Sequence, residues 1–524
     1  MSKTYDVIVL GGGHNGLLAG AYMAKAGMSV CVLERQPFVG GGAVTRELTV
    51  PGFRHDVCSI GHMLIQPNPL IANDELNLIS KYGLKYLYPE TATTVLFPDD
   101  SYIAFYRDLD RTCEGIAQYS EHDAESFRKF CDFVDSAFDF MSMGMFAPPP
   151  SSGHMAMLLE ESEFGQEVLR AFSVSQLDIA CDWFESEEMR IASSRVTSEG
   201  MISPHTKGSG IAMFWYFALV RKYGLCLPEG GSGAISEAIR ACLEDLGGEV
   251  RTSATVKRLS ISGGDCDGVV LDDGETLTAR KAVISALNIK QMPELIGDEA
   301  APEIYRRRVE RAEHSEYFPF HIELAMNEAP KYKADIDDTA AAFVEFSPKK
   351  MDDYLKVFDD LRRGAPTADI PLLIVPTVFD QTRAPDGKHI LYNYNYAPYN
   401  VRGKGPAEWD NIKEDYIQDS LKAIRRQTTN MGDDNIIASW AKSPYELEQY
   451  NWAMPKGDLM HIGSFIHQSL GNRPIAGWGY KTPVNKLYMC GASTHPGPGV
   501  NGAARAAMPV IMEELGLDFE KVVG

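Results

Sequence analysis

The longest uninterrupted apolar run in the chain, residues 211–220, has ten residues. About 20 are needed to cross a bilayer, so no transmembrane helix is expected. The first residues show neither the longer apolar stretch nor the cleavage site of a secretory signal. Cysteine is sparse: nine, spaced singly from Cys31 to Cys490, with no C-x-x-C pair. That argues against a thioredoxin-like couple or a zinc ribbon and points to buried thiols in a reducing, cytoplasmic setting. No H-E-x-x-H, no Ser/His/Asp hydrolase motif and no metal-ligand spacing occurs, so no metal is expected. Positive charge is also short. Fifty Lys and Arg stand against 72 Asp and Glu, a net charge of −22. Phosphate backbones need clustered positive charge, so no nucleic-acid partner is expected. The same deficit weakens electrostatic attachment to anionic lipid. Hydrophobic, peripheral membrane contact through residues 211–220 stays compatible with it.

What is present is ordinary globular material: 44% apolar and 23% charged residues over 524 positions, enough for two to four domains or one large composite. The first forty-five residues carry the first specific signal. Val7, Ile8, Val9 and Leu10 form an apolar run of strand length. Gly11, Gly12, Gly13, His14, Asn15 and Gly16 follow at once as G-x-G-x-x-G. Leu17, Leu18, Ala21, Ala24 and Lys25 come at helical spacing, and Gly27 ends that helix. A second strand covers residues 29–33, with Glu34 at its end, 21 positions after Gly13. This is a complete βαβ unit with a terminal acid, the pattern that binds a dinucleotide. Gly11 permits the turn, Gly13 lets backbone approach a pyrophosphate, and Gly16 lets helix and strand pack closely. The helix N-terminus offers free N–H groups to the phosphates. Glu34 suits the two ribose hydroxyls and disfavours a 2′-phosphate.

After Glu34 come Arg35, Gln36, Pro37, Phe38, Val39, and then Gly40, Gly41, Gly42, Ala43, Val44 and Thr45. Near the C-terminus, residues 487–491 read as a buried strand. Residues 492–502, which include Thr494, His495, Pro496, Gly497, Pro498, Gly499 and Asn501, lead into an Ala/Met/Ile helix over 503–515. Gly497, Gly499 and Gly502 repeat G-x-G-x-x-G, but six residues beyond the strand and with no second strand and acid to follow. This is not expected to be a second dinucleotide site. Its helix N-terminus suits the negative charge of a reduced flavin. Between these ends, residues 228–286 hold a glycine turn, an amphipathic helix with Ile235, Ala238, Ile239 and Leu243 on one face, strands at 250–252 and 256–261, and a hairpin about Asp273 and Gly274.

Together these stretches resemble FAD-dependent flavoproteins of the phytoene-desaturase and amine-oxidase superfamily nearly end to end. They resemble most the subgroup of carotenoid ketolases and pyridine-nucleotide-disulphide-oxidoreductase-domain proteins. Pro498 departs from the family's glycine at that position, which reduces backbone freedom there. The resemblance implies a bound FAD. It would contact Gly11, Gly13, His14, Asn15, Gly16, Glu34 and Arg35; then Gly41, Gly42, Ala43 and Val44; the backbone of Val256; and Gly491, Asn501, Gly502 and Ala503. The expected fold class is α/β: a Rossmann-type FAD domain with a parallel sheet (residues 1–74, 225–299 and 456–524), interleaved with a mixed α+β substrate domain (75–224 and 300–455).

The substrate half is less specific. Residues 108–139 hold nine acids against three bases, with Phe127, Phe130, Phe133 and Val134 at helical spacing. Residues 211–220 form a helix that is apolar all round, either core or the wall of a substrate tunnel. Tyr392, Tyr394 and Tyr396 alternate on one strand face, where they pack or wall a cavity. Residues 371–380 read as a buried strand, and 141–150 as a Met- and Pro-rich apolar loop. The expected reaction is desaturation or dehydrogenation, with hydride passing from a C–H of an apolar or alicyclic small molecule to flavin N5. The alternatives are a flavin oxidase of an amine or alcohol, a flavin-dependent isomerase and, without catalysis, an escort or GDP-dissociation-inhibitor-like binding protein. His495 is the first candidate base, then His55 and His205. No second complete nucleotide fold is evident, so electrons would leave to oxygen, a quinone or a redox protein. The sequence carries no signal for the oligomeric state.

Overall fold

Val7, Ile8, Val9 and Leu10 are completely buried, as a strand covered on both faces requires. They end strand β1 (Lys3–Leu10), which is followed by helix α1 (His14–Lys25) and strand β2 (Val30–Leu33). These positions come from a computed structural model that describes residues 3–524, apart from the side chains of Phe140 and Met143. β1 pairs in parallel with β2, Val7 opposite Val30 and Leu10 opposite Leu33. On its other edge it pairs in parallel with Thr276–Ser285, Leu10 opposite Ser285. Leu487–Met489 extends the sheet in parallel beyond that strand, Ser285 opposite Met489. Glu249–Arg251 extends it beyond β2. Leu10, Leu33, Ser285 and Met489 therefore end at one edge, the edge at which open α/β sheets bind ligands. Val256–Ser262 and Asp265–Leu271 fold back antiparallel onto the first half of Thr276–Ser285. One face of this sheet is covered by α1, Gly233–Asp245 and Ala503–Glu514, through side chains such as Leu18, Ile239, Leu243 and Met508.

A second sheet, mostly antiparallel, runs in the order Ile436–Lys442, Phe318–Met326, His389–Ala397, Leu372–Ile374, Phe343–Phe346, Thr91–Leu96, Tyr102–Tyr106. Strict alternation splits its side chains between two layers. Tyr392, Tyr394 and Tyr396 pack toward Glu121–Met145, Glu187–Thr197 and Ile211–Tyr223. Phe320, Ile322, Leu324 and Leu391 pack toward Trp409–Gln427. The two units are clasped at the hairpin Thr45–Glu47 and Arg54–Asp56. There buried Arg383 pairs with Asp56 at 2.9 Å and donates to the Arg54 carbonyl at 3.1 Å.

Four sequence expectations change. The strand expected over 371–380 stops after Leu372–Ile374, because Pro376 supplies no ladder N–H and opens a 3-10 turn. Residues 141–145 are not loop but the last turn of the 25-residue helix Glu121–Met145, since methionine favours helix and one glycine does not break it. The boundary drawn at 299 falls a helix too early: Tyr305 and Val309 pack with Ile8, Leu10 and Cys31 on the first sheet. The boundary at 74 is early too, as Leu76, Leu78 and Leu84 belong to the core around α1. Among the described residues, no helix is long and apolar enough to cross a membrane.

Candidate functional site

A cavity of about 650 Å³ begins where the strands of the first sheet end and continues between the two units to the tyrosine face of the second. At its first end lie Gly11, Gly13, His14, Asn15 and Gly16 of the β1–α1 turn, with Glu34 and Arg35 after β2. Gly41, Gly42, Val256 and Asn501 line the same end. Glu34 is shaped by its backbone neighbours: one carboxylate oxygen accepts from Gly12 N–H and the other from Gln36 N–H, each at 2.8 Å. Burial raises its pKa, and those two hydrogen bonds act in the opposite direction.

Two helix N-termini converge here. Neither α1 nor Ala503–Glu514 is capped by its own N-cap side chain, Gly13 and Gly502 holding those positions. Asn15, in the first turn of α1, accepts the Ala504 N–H at 3.1 Å and so ties the two termini together. Gly502 adopts φ +70°, a conformation glycine tolerates and other residues rarely do. Two observations test the fit of a dinucleotide. A Cβ added at Gly13 would make only ordinary contact with the Gly40–Gly41 backbone, at 3.7–3.9 Å, so the turn and that second glycine segment lie against each other at the cavity wall. Asn501 lines the cavity with a buried side-chain oxygen that has no protein partner, while its amide donates to the Gly497 and Pro498 carbonyls. Uncapped N–H groups, an acid at the end of β2 and an unpaired buried acceptor fit an FAD.

Not every expected residue reaches the cavity. Ala43, Val44, Gly491, Gly502 and Ala503 are not among its lining residues. Ala43 accepts from the Ser236 hydroxyl, and Val44 from the Val57 N–H, so they hold the wall in place. Sequence reasoning missed Trp452, Ala453 and Met454, which line the first end from a segment about 400 positions away. Arg35 stacks over Trp452 at 5.7 Å, and no spacing in the chain signals that contact.

None of the three histidine candidates is among the residues lining the cavity. His495 does not face the cavity: it is 3% exposed and its Nε2 lies 2.9 Å from the Gly144 carbonyl. A carbonyl only accepts, so Nε2 carries the proton and the ring anchors the end of the helix Glu121–Met145. His55 is sealed between Thr49 and Glu323, at 2.9 and 3.1 Å, away from the cavity. Burial pushes His55 down to about 3 and raises Glu323, so both tend to their neutral forms. His205 is half-buried outside the cavity lining. The histidines that do line the cavity are His14 and His461, both held down to about 4 by burial and therefore uncharged near neutrality.

Much of the far end is apolar and aromatic, through Trp215 and Leu219 of Ile211–Tyr223, Phe343, Ile374, Tyr392 and Tyr394. The apolar helix thus serves both expected roles. Met213, Phe214, Phe217 and Ala218 enter the core, whereas Ile211, Ala212, Trp215, Tyr216 and Leu219 face the cavity.

The family model for flavin containing amine oxidoreductases matches residues 16–315. The chain is 27% identical over 540 residues to a limonene dehydrogenase polypeptide of Castellaniella defragrans, covering 99% of this chain and 96% of the relative. It is 28% identical over 558 residues to pyridine nucleotide-disulfide oxidoreductase domain-containing protein 2 of Rattus norvegicus, covering 98% and 94%. Wild-type putrescine oxidase with bound putrescine superposes with a TM-score of 0.64 at 14% identity, over 98% of this chain and 99% of that one, a likeness of fold.

Proposed function

We infer the reaction from one premise: the chain belongs to the flavin containing amine oxidoreductase family and is an FAD-dependent oxidoreductase. We assign the cofactor to the first end of the cavity, held by Gly11, Gly13, His14, Asn15, Gly16, Glu34, Arg35, Gly41, Gly42, Val256 and Asn501. Ala43 and Val44 brace that wall by accepting hydrogen bonds from Ser236 and Val57. The substrate is an apolar or alicyclic small molecule, dehydrogenated or desaturated at a C–H bond. The observation that carries this reading is the continuity of one cavity from the dinucleotide cradle to a chamber of aromatic and aliphatic walls. The relative named for limonene, an alicyclic hydrocarbon, supports it.

FAD, when bound, supplies the acceptor for the hydride. The chain supplies the rest. Trp215, Phe343 and Ile374 exclude water and hold an apolar body by contact. The convergent helix N-termini stabilise negative charge at the first end. His14 and His461 are uncharged there and each keeps a ring nitrogen able to accept a proton. With FAD bound, the acceptor of its electrons would be oxygen, a quinone or a redox protein. The nine free thiols, eight of them buried, suit the cytoplasm.

Anaerobic mixing of the purified flavoprotein with a panel of monoterpenes and other alicyclic compounds tests the reading. Bleaching of the flavin absorbance by a member of the panel, with an oxidised product, is expected. A colourless protein that takes up no FAD on reconstitution would refute the cofactor assignment. A yellow protein that no apolar compound bleaches would refute the substrate class.

A further inference from the structure

The far end of the cavity is not purely apolar. Glu199 and Glu345 both line it, among aromatic and aliphatic walls. Buried Arg195 lies between them, its Nη1 2.8 Å from a Glu199 oxygen and 2.6 Å from Glu345 Oε2. The remaining guanidinium nitrogens donate to the Phe346 and Ile370 carbonyls, so Arg195 is fully engaged. Tyr396 donates to the same Glu199 Oε1 at 2.6 Å, and Thr93 donates to Glu345 Oε1 at 3.1 Å. One guanidinium thus serves two carboxylates. Glu345 is 2% exposed, and its Oε2 faces Arg195 off the N–H direction, leaving it without a hydrogen bond. Glu199 keeps 29% of its side chain accessible and lines the cavity. A buried chamber for a hydrocarbon alone has no use for a surplus carboxylate, whose desolvation is expensive unless a partner arrives.

We propose that Glu199, with Glu345 behind it, is the recognition site for a hydrogen-bond-donating head group, a hydroxyl or an ammonium, on a substrate whose remaining body is apolar. The inference rests on the apolar-substrate reading and adds a polar end to it. Glu199 presents acceptor capacity that Arg195 and Tyr396 do not use, because both converge on its Oε1. Arg195 and Tyr396 hold the carboxylate in place, so little ordering remains for a ligand to impose. The head group sets which part of the body lies nearest the first end of the cavity, which makes Glu199 a specificity determinant.

Three probes of equal length separate the sources: octan-1-ol, octylammonium, and 1-methoxyheptane, an ether that accepts but does not donate. Their binding to the oxidised holoenzyme is measured by anaerobic equilibrium dialysis. The alcohol and the ammonium are expected to bind about ten-fold or more tightly than the ether. Glu199→Leu leaves Arg195 paired with Glu345 and should abolish both preferences. Glu199→Gln keeps an acceptor oxygen, so it should spare the alcohol and weaken the ammonium. If only the ammonium is preferred, or only the alcohol, that probe identifies the head group and the site stands. Equal binding of all three probes by the parent protein, or an equal loss of all three in Glu199→Leu, would overturn the proposal. If Glu199→Leu does not fold, an unchanged alcohol-to-ammonium ratio in Glu199→Gln overturns it for the ammonium, and a parent preference for the alcohol upholds it for the hydroxyl. Because dialysis needs no turnover, probe discrimination without bleaching would sink the reaction and spare this site, and bleaching without discrimination would do the reverse.

Discussion

Gly13 and Gly16 stand three positions apart in the same turn, and the structure gives them different work. A Cβ at Gly16 would lie 1.9 Å from the Gly11 carbonyl oxygen and 3.1 Å from its carbon. Real contacts essentially never fall under 3.0 Å, so β1 and α1 must part. Both offending atoms are backbone, and neither can rotate away. Gly16→Ala should therefore destabilise the apoprotein by about 3 kcal/mol, the upper end for overpacking. Gly13 sits at φ −68°, ψ 165°, where alanine is comfortable, with its nearest neighbour, the Gly41 Cα, 3.7 Å off. Gly13→Ala should leave the apoprotein unchanged within about 0.5 kcal/mol or stabilise it slightly, by restricting the unfolded chain. Its methyl group would fill the gap between this turn and Gly41, both of which line the end of the cavity assigned to the diphosphate. Losing one charge-assisted hydrogen bond there costs about 1.5–3 kcal/mol, roughly a ten- to 150-fold weaker FAD affinity. Denaturant unfolding of both apoproteins, beside FAD titration of both, reads the two effects separately. FAD affinity retained within about two-fold in Gly13→Ala would refute the placement of the diphosphate against α1. An apoprotein of Gly13→Ala as unstable as Gly16→Ala would refute the geometry itself.

Two further outcomes are expected. Glu34→Ala removes the acceptor of two backbone N–H groups as well as a ribose partner, so FAD retention on dialysis should fall by about 1–3 kcal/mol and apoprotein stability should drop with it; unchanged retention would count against the ribose assignment. Glu345 offers a pH signature. Burial lifts its carboxyl from 4.5 to about 7 against the pull of Arg195. Between those values the folded chain keeps a proton that the unfolded chain releases, so this residue's contribution to stability declines as pH rises through that window. Glu345→Gln should therefore gain on the parent by on the order of 1–3 kcal/mol between about pH 5 and 7.5. The slope of that difference is the readout, since any pH-independent cost of the substitution shifts all points alike. A flat difference would show that Glu345 is ionised throughout.

The dinucleotide end was legible because its chemistry is local. Strand, turn, helix, second strand and Glu34 fall within thirty-odd consecutive residues, and each is dictated by short-range spacing. The same holds for Tyr392, Tyr394 and Tyr396, whose shared face follows from the period of a strand. The surroundings of the histidines were not legible, for the opposite reason. Proximity to a flavin motif in sequence put His495 forward, but its ring direction depends on a carbonyl 351 positions away, Gly144, that no local pattern reveals. The place of His461 on the cavity wall likewise follows from the packing of its neighbour Ile462 against the first sheet, a contact between distant parts of the chain.

The far end carried a local signal with the wrong ordinary meaning. Arg195 and Glu199 stand four apart on a helical stretch, which in sequence reads as a solvated surface pair worth a few tenths of a kcal/mol. Burial reverses that reading. Arg195 is wholly enclosed, and the second carboxylate comes from Glu345 on a strand 150 positions later. An exposed pair balances itself and is screened by water. A buried triad of two acids and one base does not balance, and its surplus charge must be met by a proton or a ligand. The raised pKa of Glu345 is the first answer, the one the chain supplies by itself. A donor group brought by substrate is the second: an ammonium on Glu199 offsets that carboxylate's charge and removes its share in raising Glu345, while burial continues to favour the Glu345 proton.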